Sequence, residues 1–211
     1  PESALNPGSQ NIFEITSTKR WTHVRLNIDP HSGVARLRVY GIVIPDWSKY
    51  QANDLVDLAA VENGGVVIDT SDILLGSGPN LIMPGPPAAM GDGWETKRRK
   101  GPGHDWAVIK LGRPGTIMKI EVDTRHFKGN HPDECSIERC YVPIGSSVES
   151  LTSPLAQWEM LLPKTKLHPD TRHFYENELR AVGECTHVRL NIFPDGGVSR
   201  LRVWGLLKQE V

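Results

Sequence analysis

The stretch DTRHFKGN, residues 123–130, places a carboxylate (Asp123), a hydroxyl (Thr124), an imidazole (His126), an ammonium (Lys128) and a carboxamide (Asn130) within eight positions. It is the densest polar cluster that follows an apolar alternating run, and Gly129 would let the backbone turn sharply there toward a ligand. Glu95, in GDGWETKRR, is a candidate acid or base; the alternative is an exposed loop carboxylate paired with Lys97 or Arg99. His104 and Asp105, in GPGHDW, stand just ahead of a strong strand signal, where loop ends gather function. An imidazole beside a carboxylate can be tuned to give up a proton near neutrality; alternatively the pair ties the turn together. These residue types suit general acid–base chemistry. No serine or cysteine stands in a nucleophile-elbow or triad context. Asp123 and His126, three apart at a strand end, face different ways, and no second ligand pair has metal-site spacing, so neither metal nor cofactor is expected.

Such loops need a scaffold. Apolar residues alternate in short runs closely punctuated by Gly and Pro, which favours strands over helices. DWAVIKLG and TIMKIEVDT read as strands around a Pro114-Gly115 turn, with Trp106 expected in the core and Phe127 as a packing residue. CSIERCYVPIG and PLAQWEMLLPKTKL are weaker strand candidates, and TRHFYENELR fits a short helix or an irregular edge. The closing segment THVRLNIFPDGGVSRLRVWG is the clearest element. Val188, Leu190, Ile192, Leu201 and Val203 form one face, and His187, Arg189, Asn191, Arg200, Arg202 and Trp204 the other. Many short strands with one apolar face make an antiparallel β-sandwich.

Composition narrows the function classes. The 24 basic residues nearly balance 25 acidic ones, so no field favours nucleic acid, and Lys97-Arg98-Arg99-Lys100 reads as a solvated loop. No apolar run approaches bilayer length, so no membrane partner is expected. Three cysteines, Cys135, Cys140 and Cys185, leave an odd thiol if two were bridged, which favours a reducing, cytoplasmic setting. Association with further copies of the chain is left open.

THVRLNIDPHSGVARLRVYG, residues 22–41, matches residues 186–205 at 15 of 20 positions. His23, Arg25, Asn27, Arg36 and Arg38 thus recur as His187, Arg189, Asn191, Arg200 and Arg202. A solvated face would let some of these drift, so the recurrence implies a shared requirement, either ligand binding or contact between repeats. A complete first copy would need far more than the 21 residues ahead of Thr22. Residues 1–41 are therefore expected to be the closing remnant of a first repeat, with two strands of their own, 42–54 a linker, and 55–211 a second repeat.

GDGWETKRRKGPGHDWAVIKLG, IEVDTRHFKGNHPDECSIE and the closing segment together resemble the second repeat of the allantoicase family, and residues 22–41 the end of the first. The resemblance implies a jelly-roll β-sandwich of the galactose-binding-like kind and hydrolysis of allantoate to ureidoglycolate and urea in purine breakdown. That substrate needs an anchor for its carboxylate, a base for water and an acid for a poor leaving group, each catalyst worth roughly 10²–10⁴-fold. Glu95, His104, Asp105 and His126 are then the expected catalytic residues. Lys128, Asn130, Asp123, Thr124, Arg189 and Arg202 are expected to bind substrate, arginine because it grips a carboxylate bidentately. Glu95, His104, His126 and Lys128 should share one rim of the sandwich. The competing reading is a galactose-binding-like module that binds sugar or protein without chemistry.

Overall fold

The computed structural model describes residues 2–31, 33–51, 53–72, 77–143, 151, 157–181 and 183–207. They fall into two compact units, residues 1–41 and 42–211.

The second unit is built of antiparallel strands around one central element, β4 (Asp105–Asp123). The other strands are β1 (Val56–Asp57), β2 (Val66–Thr70), β3 (Trp94–Glu95), β5 (Glu134–Cys140), β6 (Glu159–Lys166), β7 (Arg172–Tyr175), β8 (Glu184–Phe193), β9 (Gly197–Val198) and β10 (Arg200–Leu207). The first half of β4 is flanked by β2 and β8, with β5 and β6 beyond β8; its second half is flanked by β7 and β10, with β1 beyond β10. An unbent strand of this length would hold Asp105 and Asp123 about 60 Å apart. Their ladder partners Ile192 and Arg200 are only eight chain steps apart, about 28 Å at most. β4 must therefore fold over between its halves, where the β8 register slips between Lys110 and Gly115. Gly112 makes this corner: a Cβ there would lie 1.7 Å from the Asn63 carbonyl oxygen. The two halves of β4 thus enter two layers, and both of its ends reach one rim.

Alternation fills the space between the layers. Ala107 and Ile109 of β4, Ile137 of β5, Val188, Leu190 and Ile192 of β8, and Leu201 and Val203 of β10 are all fully buried, as the sequence predicts for the closing segment. Trp106 is a correction. It pairs with Asn191 on the opposite face and is only half-buried, because residue parity places Ala107, not Trp106, inward. The buried indole is Trp94, its Nε1–H donating to the Asp72 carbonyl at 3.1 Å. TRHFYENELR resolves as an edge strand, β7, since His173 and Tyr175 turn inward and Arg172 and Phe174 outward. The strand expected in CSIERCYVPIG runs Glu134–Cys140; its last residues, 144 and 145, and residues 154–156 of PLAQWEMLLPKTKL lie outside the described residues. Residues 42–54 are more than a linker: Trp47 and Tyr50 pack against the core, and the Tyr50 hydroxyl donates to Asn63 Oδ1 at 3.2 Å.

The first unit corrects a second expectation. No strand forms among its described residues, and Val24, Leu26, Ile28, Leu37 and Val39 are exposed. None of its described residues pairs in a sheet, and a two-stranded hairpin by itself is marginal in water. Among the described residues no helix is long and apolar enough to cross a membrane.

Candidate active site

The rim where both ends of β4 emerge is where the sequence motifs meet. The β8–β10 connection forms its spine. Thr96 N–H donates to the Gly196 carbonyl (3.0 Å), Arg99 N–H to Asp195 Oδ2 (2.8 Å), Gly197 N–H to the Asn130 carbonyl (2.8 Å) and Ser199 N–H to the Asp123 carbonyl (2.7 Å). Residues 94–99 and 123–130 are thereby stitched to the same loop. The Phe127 ring is the plug beneath them. It is fully buried, and a Cβ at Gly197 would lie 2.0 Å from it, so the second glycine of PDGG is required by close packing and not by the turn.

β3 turns Trp94 inward and leaves Glu95 half-buried on the other side. Glu95 Oε1 accepts from Asn130 Nδ2 at 2.5 Å, and Asn130 Nδ2 also lies 3.4 Å from Met90 Sδ. Neither Lys97 nor Arg99 is the partner of Glu95; Arg99 goes to Asp105 instead. His126 adopts φ 70°, and its N–H donates to Asp170 Oδ1 at 2.8 Å. Its Nε2 stands 3.2 Å from the Pro87 carbonyl, which can only accept, so Nε2 carries a proton and Nδ1 is the free ring nitrogen. Lys128 Nζ, exposed, is 3.8 Å from Asp170 Oδ2. The His126 N–H, with Lys128 beside it, holds the Asp170 carboxyl below the usual carboxylate range. The sharp turn expected at Gly129 is made at His126, since Gly129 lacks a positive φ.

The other candidate residues are committed to the framework. His104 Nε2 lies 3.2 Å from Asn191 Oδ1, and its ring packs 4.8 Å from that of Phe193. Asp105 Oδ1 accepts from Arg99 Nη2 (2.7 Å) and Ser71 Oγ (3.0 Å). Asp123 is fully buried beneath Arg125, whose Nη2 donates to Oδ2 at 2.6 Å. Thr124, also fully buried, donates to the His168 carbonyl at 2.6 Å and accepts from Thr171 N–H at 3.1 Å. Arg189 pairs with Glu138 (2.7 Å) and stacks over Trp158, while Arg202 Nη2 donates to the Met83 and Gly85 carbonyls (2.6 and 3.0 Å). Asn191 Nδ2 donates to Glu138 Oε2 at 2.9 Å. Within the sandwich Arg189 and Asn191 thus share Glu138, while Arg202 lies against the Met83 and Gly85 carbonyls with its Nη1 buried and without a hydrogen-bond partner among the described residues.

The structure thus brings Glu95 and Asn130 into contact, ties His126 and Lys128 to Asp170, and holds His104 on a separate network. Sequence reasoning missed Asp170 and the loop carrying Pro87 and Met90. HPDT and MPGPPAAMGDG do carry turn signals, Pro-Asp and closely spaced Pro and Gly, that mark them as loops. Among the described residues no group of three or more His, Cys, Asp or Glu side chains could hold a metal ion.

The sandwich resembles a CBM32 module of a Clostridium perfringens family 31 glycoside hydrolase, with TM-score 0.51 over 72% of this chain and 94% of that one, at 10% identity. That likeness bears on the fold alone, which is of the galactose-binding-like kind. Likeness to the crystal structure of Saccharomyces cerevisiae allantoicase is greater: TM-score 0.64 and 42% identity, covering 78% of this chain and 45% of that one. A protein of Burkholderia mallei named probable allantoicase 1 is 49% identical over 207 residues, 98% of this chain and 61% of its own length. A probable allantoicase of Pseudomonas fluorescens is 50% identical, over 95% of this chain and 60% of its own length. The chain thus spans about three fifths of the length of these relatives. The allantoicase-repeat profile matches residues 1–44 and 56–208, nearly all of the sequence, and with the motifs assembled on one rim this shows that the chain belongs to the allantoicase family.

Proposed function

We propose that this chain acts in the hydrolysis of allantoate to ureidoglycolate and urea, at the rim formed by residues 94–99, 123–130 and 194–199. The observation that carries the reading is the Glu95–Asn130 pair, in which two separate family motifs join in one short hydrogen bond. Asn130 fixes one carboxylate oxygen and leaves the other to accept a proton from water. His126, its Nε2–H held by Pro87, enters the cycle as the imidazolium, with Nδ1–H as the transferable proton. Lys128, exposed beside it, supplies the charge for the substrate carboxylate. The lone pair of one ureido nitrogen pushes the other from the tetrahedral carbon, and the departing nitrogen takes a proton from His126. Water then adds to that carbon and loses a proton to Glu95. The products sum to substrate plus water, and proton return to His126 closes the cycle. Asp105, Asp123, Thr124 and Arg202 support this rim through the contacts described above, while His104 and Arg189 belong to the Asn191–Glu138 network.

We also read residues 1–41 as the closing segment of one repeat and the sandwich as another. The three cysteines are free and buried, which suits a reducing cytoplasm. The test is urea release from allantoate by the wild-type chain and Glu95→Gln. The substitution should lower kcat by about 10²–10⁴-fold. No urea from the wild type, or a variant within about threefold of it, would overturn the reading.

A further inference from the structure

MPGPPAAMGDG, residues 83–93, has no ladder of its own beyond a short 3-10 turn at Met90–Asp92, yet it supplies Pro87 to His126 and Met90 to Asn130. What holds it comes chiefly from β10. Arg200 is almost fully buried, and its guanidinium donates to three backbone carbonyls: Gly85 at 3.2 Å and Asp92 and Ser199 at 2.7 Å each. A cation taken out of water is costly unless paired or fully hydrogen-bonded. Here the compensation is three carbonyl dipoles, Gly85 and Asp92 from the two ends of one loop and Ser199 from the preceding residue. Arg202, two residues on and on the same face, reaches Met83 and Gly85, and Asn80 Nδ2 reaches Gly93. An arginine fork spans these acceptors in one plane; a lysine ammonium cannot.

We propose that Arg200 is a positioning residue that clamps residues 85–92 as one wall of the rim site and so sets the placement of Asn130 and His126. The clamp rests on the functional reading above only in calling that wall part of an allantoate site.

The experiment compares wild type with Arg200→Lys, and with Arg202→Lys as the milder variant should the buried substitution prevent folding. Backbone amide exchange is followed across the chain, and allantoate binding is measured by calorimetry beside urea release. The expected result is at least about tenfold faster exchange over residues 85–93 with unchanged protection in β4 and β8. Affinity and KM should weaken by about tenfold as the wall loosens, and kcat should fall by about tenfold as well, because His126 and the Asn130 that orients Glu95 lose their placement. Unchanged exchange in the loop overturns the clamp, as does protection lost equally throughout the sandwich. A loosened loop with unaltered affinity and KM overturns its role as a wall. A wild type that neither binds nor hydrolyses allantoate refutes the functional reading instead, and the exchange comparison then judges the clamp by itself.

Discussion

Glu95 shows how far a residue can be read from its type. Its motif marked it, but its partner could not be read locally, because Asn130 lies 35 positions away and is delivered by another loop. The same holds for the indoles. Trp106 sits in the more apolar run, yet strand parity turns it outward and leaves Trp94 in the core. Gly197 gives the sharpest single-residue prediction. A methyl group there would overlap the Phe127 ring, itself enclosed between Gly93 and Gly197, so neither can yield. Gly197→Ala should destabilise the sandwich by about 3 kcal/mol in chemical denaturation. Combined with Phe127→Ala, the loss should fall well short of the sum of the single changes. Simple additivity would show that the ring is not what the glycine accommodates.

Among the elements, β8 and β10 were legible because their alternation is strict and both belong to one buried face. β4 was legible as two strands but not as one continuous strand turning a corner, since that depends on Asn63 and Leu206 pressing on Gly112 and Gly115. The outer face of β8 has a consequence of its own. Burial, with Lys110 opposite, pushes His187 down to about 4, and burial also lowers His173. Both imidazoles are held neutral in the folded chain and charge more readily when it unfolds. A depressed folded value contributes stability that is complete above the unfolded value near 6.5 and is lost as pH falls toward 4. For His187 this amounts to about 3 kcal/mol. His187→Gln should remove that part of the acid-side slope in denaturation profiles between these limits and leave the His173 part. A slope identical to wild type would mean that His187 is already charged in the fold.

At the scale of the whole molecule, one text appears twice with two outcomes. Residues 186–205 make up most of β8 and β10, paired with β4, β5 and β1, and β9, paired with β3, whereas the described residues of 22–41, identical at 15 of 20 positions, form no strand. The alternating pattern specifies which side chains will be buried, but neighbours decide whether a ladder exists, and neighbours are the part no local stretch records. Five exposed aliphatic side chains, Val24, Leu26, Ile28, Leu37 and Val39, should therefore make the chain associate with itself. Sedimentation over a range of concentrations should show growing mass, and Val24→Ser with Leu26→Ser should reduce it. Equal sedimentation of variant and wild type would remove this segment as the cause. The sandwich carries a quieter feature in the ladder that pairs Val56 of β1 with Gly205 of β10. Its first and last strands share one seam, so a gene segment encoding it can be copied head to tail with little connecting sequence and without threading either copy through the other. The two passages of this chain identical at 15 of 20 positions, 164 positions apart at Thr22 and Thr186, have the spacing that such a copying would produce.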